Sequence, residues 1–396
     1  MQRPQRIGLE RTLENIGESL LRVGRGVDGF WQRVTEGIAI QTLWSQFQAE
    51  ARASYDLYSR EVDWEALRQE TRLRRFWKIT VALFWAMLMK LSPARRVFLL
   101  IALAFAILSL TRVHRGENPP PSAFNPYQAL SIACLIFLLA LELADRVIMK
   151  RDLEIAREIQ RWLVPSAPPQ VEGVDIAFAS RPANTVGGDY FDAFVREVSS
   201  SGIVSRRLLL VVADVAGKSV PAALLMATFQ ASLRTLANEP ASLRDLVTGL
   251  NRYACAHSLG GRRFTTALFA ELDPATRELS YIRAGHCAPI LRRASMSLER
   301  LDAGHIPLGI DAGASFGCGS TRLAPGDLLV VYTDGVIEAV NQKNEEFEEA
   351  RLLNTIKTLP AGSAADSLRR LTAAVDAFVG ETRQHDDITW LLVRAL

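Results

Sequence analysis

A chain of 396 residues is too long for one ordinary domain and predicts two or three regions. Its 49% hydrophobic content and mean hydropathy of +0.09 are high for a soluble enzyme, while a net charge of +3 is too mild to point to nucleic acid. The four cysteines, Cys134, Cys255, Cys287 and Cys318, form no CxxC pair, so neither a zinc site nor a disulfide framework is supported and a reducing compartment is expected.

The N-terminus has no apolar h-region and is not read as a cleaved signal peptide. Residues 1–75 are polar with scattered apolar anchors such as Trp31, Trp44 and Trp64, a helical cytosolic region without a chemical motif. Residues 76–144 read as a membrane region. The short run 76–91 is apolar nearly all round and is expected at the interface or as a re-entrant segment. Spans are expected at about 93–113 and 126–144. Each opens on a helix-start signal, Ser92-Pro93 and Asn125-Pro126. Basic residues precede the first span (Arg72, Arg74, Arg75, Lys90, Arg95, Arg96) and follow the second (Arg146, Lys150, Arg151). The positive-inside rule then places both ends in the cytoplasm, giving a multi-pass inner-membrane protein with its C-terminal domain in the cytoplasm.

No helix breaker stands between Pro126 and Pro165, so the second span should continue as a signalling helix over 145–164. Met149, Leu153, Ala156, Gln160 and Leu163 repeat at helical spacing, flanked by Ile148, Ile155, Ile159 and Trp162. A face that broad suits docking on the following domain, homodimerisation, or both. Pro165, Pro168 and Pro169 end the helix.

From 165 to 396 the pattern is that of an α+β domain. The runs 208–215, 265–273, 279–285, 327–334 and 387–393 read as strands, and stretches near 219–237, 242–257 and 363–379 as helices. Turn-length gaps predict a largely antiparallel sheet. The stretch "RPANTVGGDYFDAF" (181–194) reads as a strand weakened by Gly187 and Gly188 just before Asp189, with a second acid at Asp192.

Acids recur at strand edges. Asp189 follows two glycines, Asp214 ends "LLLVVA", Asp334 ends "LLVVYT" before Gly335, and Asp386 and Asp387 precede "ITWLLV". Each alone is an ordinary turn residue. Together they form a set that could converge in one cleft as hard oxygen ligands for magnesium or manganese. The loop "AGKS" (216–219) ends like a Walker A motif, but Val212 stands where that motif needs glycine.

The ordered motifs "EIAREIQRWLVP", "RPANTVGGDYFD", "VADVAGKSVPAALLMA", "RFTTALFAELDP", "YIRAGHCAPILRR", "HIPLGI", "LAPGDLLVVYTDGVIEAVN" and "HDDITWLLV" resemble the PPM metal-dependent protein serine/threonine phosphatases, in their SpoIIE-like bacterial branch. The resemblance covers roughly 154–396. It implies an α-β-β-α sandwich with two Mn2+ or Mg2+ ions at one end of the sheets. It implies that Asp214 bridges both metals beside the Val215 backbone carbonyl, that Asp334 and Asp386 are further ligands, and that Asp189 holds a metal directly or through water. Asp387 takes the role of Asp386 if the register shifts by one. Asp214 and Asp334 are the residues expected to carry catalysis. On this view Gly187 and Gly188 admit a hydrated metal. The implied substrate is a phosphoserine protein, of the STAS-type anti-sigma-factor antagonist class.

The chain departs from the family pattern at three places. Val215-Ala216 replaces Gly-His, Ser219 replaces the last glycine of "GKG", and Glu348 replaces the glycine of Phe-Gly, a change expected to affect a surface turn. His286 in "AGH" reads as structural or site-shaping. The alternative to an enzyme is a non-catalytic PPM-like module that binds a phosphoprotein or acts as a scaffold.

Overall fold

Residues 91–114, 125–200, 203–257 and 263–396, with Arg74, Val81, Trp85, Leu88 and Met89, are described by the structure, a computed structural model. The chain divides into two units, Met1–Leu143 and Ala144–Leu396. The expectations for residues 1–75 and for 76–91 as a segment lie outside the described residues.

Two helices begin where the sequence places their caps: α1 spans Pro93–His114 and α2 spans Pro126–Leu163. The Asn125 side chain accepts from the Tyr127 and Gln128 amides (3.2 and 3.4 Å), closing the first turn of α2. Within the first unit α1 and the start of α2 run antiparallel. Asn125 donates to Ser109 Oγ (2.9 Å), Ser131 Oγ to Ala102 O (2.9 Å), and Arg95 to Glu142 (3.3 Å). Among the described residues one segment, Pro93–Thr111, is long and apolar enough to cross a membrane, with 19 residues at a mean hydropathy of 1.9. The second expected span is no separate element: it is the first half of the 38-residue α2, in line with the absence of a breaker.

The second unit is built on two sheets. One has the order β1 (Val174–Arg181), β11 (Ile388–Ala395), β10 (Leu328–Tyr332), β6 (Ile290–Arg292), β7 (Leu298–Arg300). The other has the order β2 (Tyr190–Ser200), β3 (Ile203–Val215), β4 (Thr265–Leu272), β5 (Glu278–Ala284), β8 (Gly304–His305), with β9 (Gly319–Arg322) also on β5. Pairing between these strands is antiparallel except for β5 with β8. Helices α3 (Ser219–Leu236) and α4 (Leu243–Ala256) cover the second sheet, and α5 (Glu348–Thr358) and α6 (Ala364–Val379) cover the first. This is the α-β-β-α sandwich the resemblance implies.

Side-chain alternation assigns each strand position to a layer. In β3, Leu208, Leu210 and Val212 enter the core between the sheets, while Leu209, Val211 and Ala213 enter the core under α3 and α4. In β10 and β11, Leu329, Val331, Leu391 and Val393 face between the sheets, and Val330, Tyr332, Trp390 and Leu392 face α5 and α6. The same parity decides the directions of Asp189, Asp192 and Asp214 at the ends of β2 and β3.

At the two positions where the resemblance implies glycine, this chain has other residues on a left-handed backbone. Ser219 has φ 63° and Glu348 has φ 60°, so each carries the strain that glycine would avoid. Glu348 is exposed and its neighbour Phe347 is buried in the core, so that departure stays at a surface turn.

Candidate metal centre

The sandwich brings four strand ends together. Tyr190 pairs with Ala213, so the start of β2 and the end of β3 lie at one end of their sheet. Tyr332 pairs with Trp390, so the end of β10 and the start of β11 do the same in theirs. Asp189 directly precedes β2, and Asp214 lies one residue from the end of β3. Asp334 opens a short 3-10 turn after β10, and Asp386 and Asp387 precede β11. By parity Asp189 and Asp214 share the inter-sheet face, and a cleft between the sheet ends receives carboxylates from both.

The stretch 181–194 is not a continuous strand: Pro182–Asp189 is a loop and β2 starts at Tyr190. Asp192 points the other way from Asp189. It is completely buried under α3, where Arg234 grips both its oxygens (2.8 Å each) and the Tyr190 hydroxyl donates to it. Asp192 is therefore structural. Asp192→Ala should destabilise the protein by about 2 kcal/mol, the loss of charge-assisted hydrogen bonds to a half-exposed Arg234. Its Mn2+ affinity should stay within about twofold of the parent, as thermal melts and metal titrations of one sample would check.

The loop glycines have a closer reason than room for a hydrated metal. A Cβ on Gly187 would collide with the Asp387 carboxylate, and one on Gly188 would stand 2.9 Å from the Val215 carbonyl and 3.2 Å from the Ala222 Cβ. Gly188 thus lets its own backbone pack closely against the Val215 carbonyl, which is itself buried. Gly335 is needed in the same way, because a side chain there would strike the Asp387 carbonyl.

The Asp386 and Asp387 alternatives have different surroundings. Asp387 spends both oxygens on backbone: Oδ1 accepts from Ala183 N–H and Oδ2 from Gly188 N–H, each at 2.7 Å. It anchors the loop, and each oxygen keeps a second lone pair, so this role leaves open its expected place among the metal ligands. Asp386 Oδ2 faces Lys218 Nζ at 3.0 Å, while its Oδ1 accepts from the Asp387 amide (2.9 Å).

Asp189 is 7% exposed, and Thr333 Oγ1 (3.0 Å) and Thr389 Oγ1 (2.6 Å) hold its Oδ2 from the opposite sheet. Neither threonine stood out in the sequence. The available signal was parity, since both fall on the inter-sheet face of β10 and β11. Gln160 near the end of α2 was also missed in this role. It donates from Nε2 to Gly187 O (2.7 Å) and accepts from Gly187 N–H (3.2 Å), clasping that peptide from both sides.

Burial, then the charges of Asp214 and Asp387, pushes the Asp189 carboxyl well above the usual range. Burial, then Asp334, Asp386 and Asp387, pushes Asp214 up to about 7. Burial followed by Asp386 raises Asp334. Such groups hold protons in the fold that the unfolded chain releases near pH 4. Their stabilising contribution is therefore present at low pH and lost as pH rises through about 7. The melting temperature of the chelator-treated protein should fall between pH 5 and pH 8. Asp214→Asn should flatten that slope, and Mn2+ at pH 8 should reverse it.

The donor set fits a hard divalent cation: carboxylates, a nearby backbone carbonyl, and no thiolate or imidazole among them. Among the described residues no three acidic, histidine or cysteine side chains close on one point by themselves. The Val215 carbonyl and water must complete any coordination shell, as magnesium and manganese commonly require. Two neighbours are excluded from other chemistry. Burial pushes the Cys287 thiol up to about 12, so it supplies no thiolate nucleophile. Burial pushes His286 down to about 4, leaving a neutral imidazole with Nδ1 3.1 Å from Thr266 Oγ1, directly behind Asp214 in the β3–β4 register.

Comparison with known proteins agrees with this architecture. Residues 205–396 match the family model described as Stage II sporulation protein E (SpoIIE). The chain is 27% identical over 282 residues to protein IcfG of Synechocystis sp., covering 65% of this chain and 43% of that protein. It is 27% identical over 247 residues to the phosphoserine phosphatase RsbU of Bacillus subtilis, covering 62% of this chain and 70% of that protein. The chain thus spans less than half of the first relative and about two thirds of the second. Among solved structures, the SiaA-PP2C domain of Pseudomonas aeruginosa superposes with a TM-score of 0.53 at 21% identity, covering 63% of this chain and 98% of that domain, which shows the fold.

Proposed function

Because residues 205–396 belong to the SpoIIE family of PP2C-type phosphatase domains, we propose that this chain is a metal-dependent protein serine/threonine phosphatase that hydrolyses phosphoserine on a signalling protein. What supports the reading is that Asp189, Asp214, Asp334 and Asp386 stand at neighbouring strand ends of the two sheets, near enough for their charges to act on one another.

Asp214, Asp334, Asp386 and the Val215 carbonyl would hold two Mn2+ or Mg2+ ions, with Asp189 contributing directly or through water. When bound, such a pair supplies an acidified water and a clamp on the phosphoryl oxygens. The chain's own part is to place the ligands. Thr333 and Thr389 fix Asp189 from the opposite sheet, and Asp387 holds the loop that carries it. No covalent phosphoenzyme is required, which agrees with the protonated thiol of Cys287.

The substrate proposed is a phosphoserine protein of the anti-sigma-factor antagonist class that the family resemblance implies. Membrane anchoring through α1 and the first half of α2 is supported by their exposed apolar side chains, among them Ile107, Leu110, Ile136 and Leu139. The phosphatase domain would then face the cytoplasm. Farther along α2, Ile148, Ile155, Ile159 and Trp162 are exposed on one stripe while Gln160 holds the loop at Gly187, which suits a helix that docks on its own domain and also pairs with a second copy.

The test is phosphate release from a phosphoserine protein by the detergent-solubilised full chain. Release should require Mn2+ or Mg2+ and stop on chelation. Metal binding without release from any phosphoserine substrate would favour a non-catalytic binding module instead.

A further inference from the structure

The cleft contains a cation that the metal ligands do not account for. Lys218 is the N-cap residue of the 18-residue α3, and its ammonium, having no acceptor with which to cap the helix, turns elsewhere. The ammonium reaches across the cleft to Asp386 Oδ2 (3.0 Å) and the His385 carbonyl (2.9 Å). Its charge is also felt at Asp214, Asp334 and Glu338. Its side chain is 56% exposed, so the flexible stem is free to swing at the mouth of the site.

The backbone beneath Lys218 is held firmly. Arg263 donates to the Ala216 carbonyl (3.0 Å), and Gly217, at φ +124°, leaves the room that the Arg263 guanidinium fills. A fixed base and a mobile ammonium suit a residue that exchanges partners. A divalent cation at Asp386 competes with Lys218 for the same oxygen, since two cations on one carboxylate oxygen repel each other. The displaced ammonium remains at the rim beside the start of α3, where the helix end favours negative charge.

We propose that Lys218 is the substrate-contacting cation of this site, moving from Asp386 to a phosphoryl oxygen when a divalent cation takes Asp386. The assignment rests on the phosphatase reading and names the group that receives the substrate's charge at the cleft mouth. Lysine acts here as a point charge, one of the standard ways proteins bind phosphate.

The experiment compares the full chain with Lys218→Met and Lys218→Arg. Three quantities are read: Mn2+ affinity by calorimetry, inorganic phosphate affinity of the Mn2+-loaded protein, and KM for p-nitrophenyl phosphate. Lys218→Met should bind Mn2+ several-fold more tightly, because its competitor is gone, and this also reports an intact fold. The same variant should bind phosphate about tenfold more weakly and raise KM by a similar factor, with Lys218→Arg keeping most of both. Parental phosphate affinity and KM in Lys218→Met would overturn the assignment and reduce Lys218 to a counter-ion. A parent chain that binds Mn2+ but neither binds nor releases phosphate would overturn the phosphatase reading, and the assignment with it.

Discussion

Asp214→Ala should lower metal-dependent phosphate release by about 1,000-fold, and Asp334→Ala by a comparable factor. A metal pair contributes several kcal/mol to the transition state, and each 1.36 kcal/mol is tenfold in rate. Asp214 is the hub of the cluster, since the charges of Asp334, Asp386 and Asp387 all act on it. Removing it takes away the carboxylate that every other ligand faces. The fold should survive, because a repelling charge is deleted from a crowded cleft. At pH 8 the chelator-treated variant should melt no lower than the parent. Loss of activity with a retained melting temperature separates a missing ligand from a broken fold.

Replacing the two adjacent acids before β11 should give opposite phenotypes. Asp387→Ala strips the acceptor from two backbone amides, Ala183 and Gly188, that tie the loop down. Charge-assisted bonds of this kind contribute about 1.5–3 kcal/mol each, so the stability cost should reach about 3 kcal/mol. Asp386→Ala removes a carboxylate 37% exposed, paired with a half-exposed lysine, and should cost under about 1 kcal/mol. Its Mn2+ affinity should nevertheless fall by more than about 100-fold, beyond what loss of an outer-shell partner costs. Melting temperature and Mn2+ titration of the two variants, measured side by side, check both halves. Equal stability losses would contradict the division of labour between them.

Much of the domain was legible because its long central strands are buried. The apolar runs at 208–215 and 327–334 have no alternative to a core strand, and each ends on the acid that enters the cleft. The helices α3, α4 and α6 followed from ordinary periodicity. The short strands β6 to β9 were not legible, since two to four residues carry no pattern. Nor was the pairing of β1 with β11, which joins Val174 to Ala395 across most of the domain.

At the site, the sequence supplied the acids but not their directions. Asp189 and Asp192 look alike in "GGDYFD", yet one enters the cleft and the other meets Arg234, because they differ by an odd number of strand positions. Asp386 and Asp387 differ in the same way, and only the loop returning from 183–188 shows that Asp387 bonds backbone amides across the fold while Asp386 faces Lys218. The threonines behind Asp189 and the glutamine on Gly187 act across distances in sequence that no local pattern spans.

The central claim is that the carboxylates at the sheet ends form one divalent-metal centre. Calorimetric titration of Mn2+ into the purified full chain at pH 8, beside Asp214→Ala, tests it most directly. The account predicts saturable binding by the parent chain that disappears in Asp214→Ala. No binding by the parent, or equal binding by the variant, would contradict it.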